Sequence, residues 1–209
     1  MNDTINNDTD DNTDDARSTA LLDELASLAS PPPAELAESL RDRLFDRWLS
    51  TESPLGPVLV AYTTRGVSFV RTSALVPGEQ FLETHRRRFG RPLRRADSAP
   101  SGLVDALWGR PGAAPEVDLE GLSAFEHDVL AATRTIPLGE TRPYAWVARE
   151  AGSPRAVRAA GSVLARNPVP LLVPCHRVVR SDGSPGQYLF GPETKQRLLS
   201  SEHARAHDL

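Results

Sequence analysis

The chain has 209 residues, 39% of them hydrophobic and 25% charged, the proportions of a globular protein with one or two small domains. No apolar run approaches the roughly 18 residues of a transmembrane helix, and a secretory leader is not expected at so polar an N-terminus. The single cysteine excludes an internal disulfide and a cysteine-rich zinc site, which suits a reducing cytoplasm.

Residues 1–16 contain Asp3, Asp8, Asp10, Asp11, Asp14 and Asp15 and no Lys or Arg, and are expected to be disordered. Without them the net charge of −4 becomes +2. Residues 17–50 are expected to form a helical extension of no evident role. Leu21, Leu22, Leu25 and Leu28 recur at helical spacing, as do Leu36, Ala37, Leu40, Leu44 and Trp48 after the Pro31-Pro32-Pro33 break. Residues 51–112 then read as a small α+β domain. Val58–Thr63 and Val67–Arg71 flank a Thr-Arg-Gly turn and predict a β-hairpin. Helices are expected over Gly78–Arg88 and Ser101–Trp108, and the Gly- and Pro-rich stretch from Gly109 is a linker.

Residues 116–209 read as a mostly helical domain, so the fold class expected is α+β. Ser123 and Glu126 have the spacing of a capping box before a helix to about Arg134. Pro143 begins a second helix that Gly152 ends, and Ser153-Pro154 predicts the start of a third, running to Arg166. Two helices on so tight a turn have helix-turn-helix form. On the third, Ala156, Ala160, Val163 and Leu164 share one face, and Arg155, Arg158, Ala159 and Ser162 share the other. The stretch from Ala151 to Ser181 carries five arginines and no acid, which suits a salt-dependent hold on phosphates.

Cys175 is followed directly by His176, the composition of a nucleophile and its base. Only the thiolate is a strong nucleophile, and neighbouring cations favour it. Pro168, Pro170 and Pro174 exclude a regular helix or central strand just before it. The apolar Leu171-Leu172-Val173 run still has to be buried. The segment therefore reads as a rigid, irregular delivery of one sulfur to a fixed place. Free cysteines are also commonly inert core residues, so the pair by itself leaves both readings open.

The wider pattern resembles the O6-alkylguanine-DNA alkyltransferases, also called methylated-DNA–protein-cysteine methyltransferases. Pro174-Cys175-His176-Arg177-Val178-Val179 looks like their active-site segment. Ile136-Pro137-Leu138-Gly139-Glu140-Thr141, Tyr144, Arg158-Ala159-Ala160-Gly161 and Asn167 agree upstream, as do Gly186, Tyr188, Gly191, Lys195 and Glu202 downstream. The resemblance is strong from about Leu122 to Glu202 and weak before that.

It implies direct DNA repair: one irreversible transfer of an alkyl group from O6-alkylguanine, and from O4-alkylthymine, to Cys175. His176, reached through water and held by Glu202, would activate the sulfur, and Asn167 would hold the turn beside it. Arg158 would fill the space left by a flipped base, Tyr144 would meet the rotated phosphate and base, and Ala159 and Ser162 would approach the minor groove. Tyr144, Leu164, Val178, Tyr188, Leu189 and Phe190 would line the pocket, which Phe190 is expected to narrow because many members carry glycine there. Lys195, the sole lysine, would be structural. No cofactor or metal is implied. The partner expected is double-stranded DNA, without membrane association, and the protein would act as a cytoplasmic monomer. A lesion-binding relative would lack the cysteine. A cysteine hydrolase would need an oxyanion hole, and no Gly-rich donor loop is evident.

Overall fold

A computed structural model describes residues 33–207. Expectations for residues 1–16 and for the first leucine stripe lie outside the described residues. The chain divides into a unit up to Arg41 and a compact unit from Asp42 to Leu209. Helix α1 (Ala34–Leu44) begins in the first, where Arg41 pairs with Glu38 one turn earlier and Leu36 and Leu40 are exposed.

In the compact unit, β1 (Asp46–Ser53), β2 (Gly56–Thr63), β3 (Gly66–Thr72) and β4 (Leu93–Arg95) form a sheet in the order β3-β2-β1-β4. The predicted β2–β3 hairpin is present, antiparallel, with Val60 opposite Val70 and Thr63 opposite Gly66. The helix expected through Trp48 is not: Trp48 lies on β1, opposite Ala61. The boundary placed at residue 50 therefore falls inside a strand. Trp48 has helical spacing from Leu44, but Asp46–Ser53 finds its hydrogen bonds on β2 across a tight turn, and cross-strand pairing overrides local periodicity.

Strand β2 is buried on both faces. Val58 and Val60 enter the main core, while Leu59 and Ala61 meet Phe69 and Phe81 beneath helix α2 (Gly78–Phe89). Successive strand residues point to opposite faces, so one strand serves two cores. Helix α3 (Leu103–Leu107) adds Leu103 and Leu107 to the main core. That core continues through Val129, Leu130, Val147, Val163, Val173 and Leu198. Residues 51–112 and 116–209, read as two domains, thus share one hydrophobic core. The far end of the linker pairs with the sheet: Val67 N–H donates to Glu116 O at 2.8 Å and Asp118 N–H donates to Val67 O at 2.8 Å.

The second half is helical. Helix α4 (Ala124–Arg134) begins at the expected capping box: Glu126 N–H donates to the Ser123 hydroxyl, and the Glu126 carboxylate accepts from Ser123 N–H. The short strand β5 (Arg142–Pro143) leads into α5 (Tyr144–Glu150), which closes at Gly152 with φ +70°. Helix α6 (Val157–Ala165) starts later than expected. Ser153 does not cap it. Its N–H completes the end of α5 by donating to Ala148 O, and its carbonyl accepts from Ala156 N–H in a separate turn. The backbone of 153–156 is thus committed to the connection, and α6 begins after it. A 3₁₀ turn at Cys175–Arg177, strand β6 (Val178–Val179), parallel to β5, and helix α7 (Pro192–His207) complete the fold.

Candidate active site and nucleic-acid interface

The segment between α6 and the 3₁₀ turn is held by Asn167, which is fully buried. Its side-chain amide donates to Val173 O at 2.9 Å and to Cys175 Sγ at 3.1 Å, and its Oδ1 accepts from Val169 N–H at 3.0 Å. A single amide thus closes the loop on itself and touches the sulfur. Leu171 within the loop takes φ +74°, a left-handed conformation costly for a side chain with a Cβ. The surrounding prolines and the buried Val169, Leu172 and Val173 overdetermine that shape. The first half of the chain braces it as well, because Val70 N–H donates to Pro168 O at 2.8 Å.

Cys175 is 4% exposed, a free thiol at the base of a cleft. Burial pushes its pKa up. The Asn167 hydrogen bond and the charges of Lys195 and Arg71 act in the opposite direction. His176 and Glu202 are 1% and 5% exposed. The imidazole Nε2 lies 2.8 Å from Glu202 Oε1. A carboxylate can only accept, so Nε2 carries the proton and Nδ1 is the basic nitrogen. That Nδ1 is buried without a hydrogen-bond partner. Burial depresses the His176 pKa despite the Glu202 contact, so the ring is neutral at pH 7. Burial alone would raise the Glu202 carboxyl, but hydrogen bonds from His176 and Arg177 outweigh it and hold the group at about 2.

Arg177 is the partner that the sequence reading missed. Its guanidinium donates to both Glu202 oxygens, Nε to Oε2 at 2.8 Å and Nη2 to Oε1 at 3.0 Å, and Nη1 donates to Ile136 O at 2.7 Å. The planar fork of arginine matches a carboxylate in this way and a lysine cannot. Its position beside the Cys-His pair was the available signal. The same corner explains Gly139: at φ +77°, an added Cβ would stand 2.6 Å from the Ala206 methyl of α7. The Ile136–Gly139 turn can approach the helix carrying Glu202 only without that atom.

A cleft of about 410 Å³ opens over the sulfur. Tyr144, Arg158, Ser162, Leu164, Cys175 and Tyr188 line it, together with Val157, Gly161, Ala165, Arg180, Gly186 and Gln187. Burial raises the pKa of Tyr144, and raises that of Tyr188 far more, so both phenols remain protonated donors. The Tyr188 hydroxyl is buried without a partner. Gly186, at φ +66°, lets its loop pass the Tyr144 hydroxyl, which an added Cβ would meet at 3.3 Å.

Three residues expected in the pocket, Val178, Leu189 and Phe190, are not among those lining the cleft, and Ala159, expected at the minor groove, does not line it either. Ala159 is exposed on α6. Val178 is buried on β6, where its carbonyl accepts from Lys195 Nζ at 2.6 Å. Leu189 and Phe190, the latter expected to narrow the pocket, reach the cleft no nearer than the Tyr188 side chain against which Phe190 packs. The Phe190 ring stands edge-on to Tyr188, centroids 5.4 Å apart and planes at 84°, a favourable aromatic geometry. Lys195 is fully buried and also faces the Tyr144 ring, 5.8 Å from its centroid. Burial lowers its pKa to about 8, which leaves it cationic at neutral pH.

The described residues contain no cluster of three or more metal-ligating side chains, and none of their helices is long and apolar enough to cross a membrane. Residues 124–204 match the family model of the 6-O-methylguanine DNA methyltransferase DNA-binding domain. The chain is 33% identical over 157 residues to a methylated-DNA–protein-cysteine methyltransferase of Methanosarcina barkeri, covering 72% of this chain and 93% of that one. It is 34% identical over 171 residues to the Escherichia coli bifunctional transcriptional activator/DNA repair enzyme Ada, covering 77% of this chain but only 46% of Ada. Among solved structures, that of Mycobacterium tuberculosis OGT in complex with DNA superposes with a TM-score of 0.62 at 34% identity, covering 76% of this chain and 94% of that one. The chain belongs to the methylated-DNA–protein-cysteine methyltransferase family.

Proposed function

We infer that the protein repairs alkylated DNA directly, moving a methyl group from guanine O6 onto Cys175 in one irreversible turnover. The observation that carries this reading is a buried thiol, restrained by Asn167 and set beside the buried His176–Glu202–Arg177 array, at the base of a cleft rimmed by α5 and α6. The thiol proton passes through water to His176 Nδ1, and Glu202 stabilises the imidazolium. The sulfur then attacks the methyl carbon in line. The S–C bond forms, the C–O6 bond breaks, and its electron pair leaves on guanine. A phenolic donor, Tyr144 or Tyr188, supports the charge that develops on the base. The product is a thioether, which no group in the site can cleave.

The target lies inside a duplex, so the base must be flipped into the cleft. Arg158 is exposed at the rim, where it can occupy the space left behind. The small residues of α6 suit close approach to a minor groove, where readout is poor in sequence information. O4-alkylthymine offers the same alkyl-oxygen chemistry and is included in the proposed substrate class. The free thiol suits the cytoplasm, and the proposed unit of action is a monomer on DNA. Incubation with a duplex carrying one O6-methylguanine tests the reading. The expected result is a stoichiometric gain of one methyl in intact mass, mapped to Cys175. Tight lesion binding at unchanged mass would overturn it.

A further inference from the structure

Arg71 is the penultimate residue of strand β3, in the half of the chain that carries none of the proposed chemistry. It is half-buried, and no carboxylate lies within ion-pair distance of it among the described residues. Its guanidinium is instead spent on backbone carbonyls. Nη1 donates to Pro168 O at 3.1 Å, to Val70 O at 2.6 Å and, at 3.4 Å, to Asn167 O. Its plane lies over the Phe69 ring, 4.1 Å from the centroid. Carbonyl dipoles and an aromatic face hold the cation without cancelling its net charge. Burial lowers its pKa to about 10, so it is charged throughout the neutral range.

Two carbonyls it grips belong to Asn167 and Pro168, and the Asn167 side chain is the group that touches Cys175 Sγ. We propose, building on the alkyl-transfer reading above, that Arg71 is a positioning residue for the reaction: it fixes the Asn167 turn from the sheet and supplies an uncancelled positive charge that favours the Cys175 thiolate. A buried thiolate needs such compensation, because desolvation disfavours its charged form. Lys195 on α7 favours the thiolate more strongly than Arg71 does, and Arg180 lines the same cleft. Tyr144 and Tyr188 face the sulfur with neutral phenols, and His176 is neutral beside it. Arg88 of α2 faces Arg71 and adds positive charge rather than neutralising it. The sheet half of the molecule thus contributes to the chemistry through one side chain.

The test compares wild type with Arg71→Lys, Arg71→Gln and Arg71→Met, each checked by thermal melting. Gln retains a carbonyl-binding donor without the charge, Lys retains the charge with fewer donors, and Met retains neither. Cys175 alkylation is followed by intact mass from about pH 6 to about pH 11, because burial pushes the thiol above its ordinary value. The reagents are the O6-methylguanine duplex and iodoacetamide, a small neutral electrophile. The expected result is an upward shift of the thiol inflection by about half a pH unit in Gln and Met, and about threefold slower alkylation at neutral pH by both reagents. Lys should stay close to wild type. A Gln variant with the wild-type inflection, whether or not its rate or melting point falls, would overturn the proposal, as would a Lys variant as impaired as Gln. Wild type that reacts with iodoacetamide but not with the duplex would overturn the repair reading instead, while the iodoacetamide profiles would still decide the role of Arg71.

Discussion

Replacing Glu202 by glutamine removes one negative charge from a site where Arg177 and His176 depend on it. The carboxyl is held at about 2 against an ordinary value of 4.5, a depression of roughly 2.5 units that corresponds to about 3 kcal/mol. The sign follows from the direction. A depressed carboxyl stabilises the fold fully above its unfolded value of 4.5 and loses that contribution as pH falls through about 2. The substituted amide cannot carry the charge at any pH, and the Arg177 side chain, only 11% exposed, would be left without a counter-ion. Breaking a buried pair from one side costs about 3–5 kcal/mol. For a chain of this size about 3 kcal/mol lowers the melting temperature by roughly 6–12 °C. Methyl transfer should slow by about a hundredfold, because the imidazole loses the group that fixes its tautomer. Differential scanning calorimetry at neutral and acid pH and single-turnover mass spectrometry measure the two effects. The variant should also lose less stability than wild type as pH falls from about 4.5 to about 2. A double replacement, Glu202→Leu with Arg177→Met, should recover much of the stability and none of the rate, since an apolar pair leaves no orphaned charge. A melting temperature within about 2 °C of wild type, with an unchanged rate, would refute the reasoning.

Two further substitutions probe the interface and the loop. Arg158→Ala should slow repair of duplex DNA far more than alkylation by free O6-methylguanine, because only the duplex requires flipping; equal losses in the two single-turnover rates would place Arg158 in the chemistry or the fold. Asn167→Ala leaves the buried Val169 N–H without its acceptor and should cost about 1–3 kcal/mol in denaturant unfolding. It should also raise the thiol inflection in an iodoacetamide pH profile, and an unchanged inflection would show that the contact with Sγ does not favour the thiolate.

Much of this protein is written in local sequence. The capping box at Ser123 and Glu126 and the β2–β3 hairpin each close within a few residues, so their hydrogen-bond partners can be read directly. Cys175 and His176 are adjacent, and the three prolines exclude regular structure before them. The offset of Glu202 from Cys175 became legible only through resemblance, since nothing local marks that acid as buried.

What the sequence left open depends on partners far away in the chain. Strand β1 exists because β2 supplies its ladder, whatever the helical spacing from Leu44 to Trp48. Ser153 looks like a helix cap, but the end of α5 takes its N–H first. Phe190 occupies a pocket position by resemblance but packs edge-to-face on Tyr188 and is not among the residues lining the cleft. Arg71 and Arg177 are two of many arginines in composition. Tertiary structure alone gives one a grip on the Asn167 turn and the other both oxygens of Glu202. The sequence by itself marked the candidate nucleophile, its neighbour and the local turns, because their chemistry lies within a few bonds. Only the fold decided which charges the thiol feels, because screening and desolvation depend on what is packed around a group and not on what precedes it.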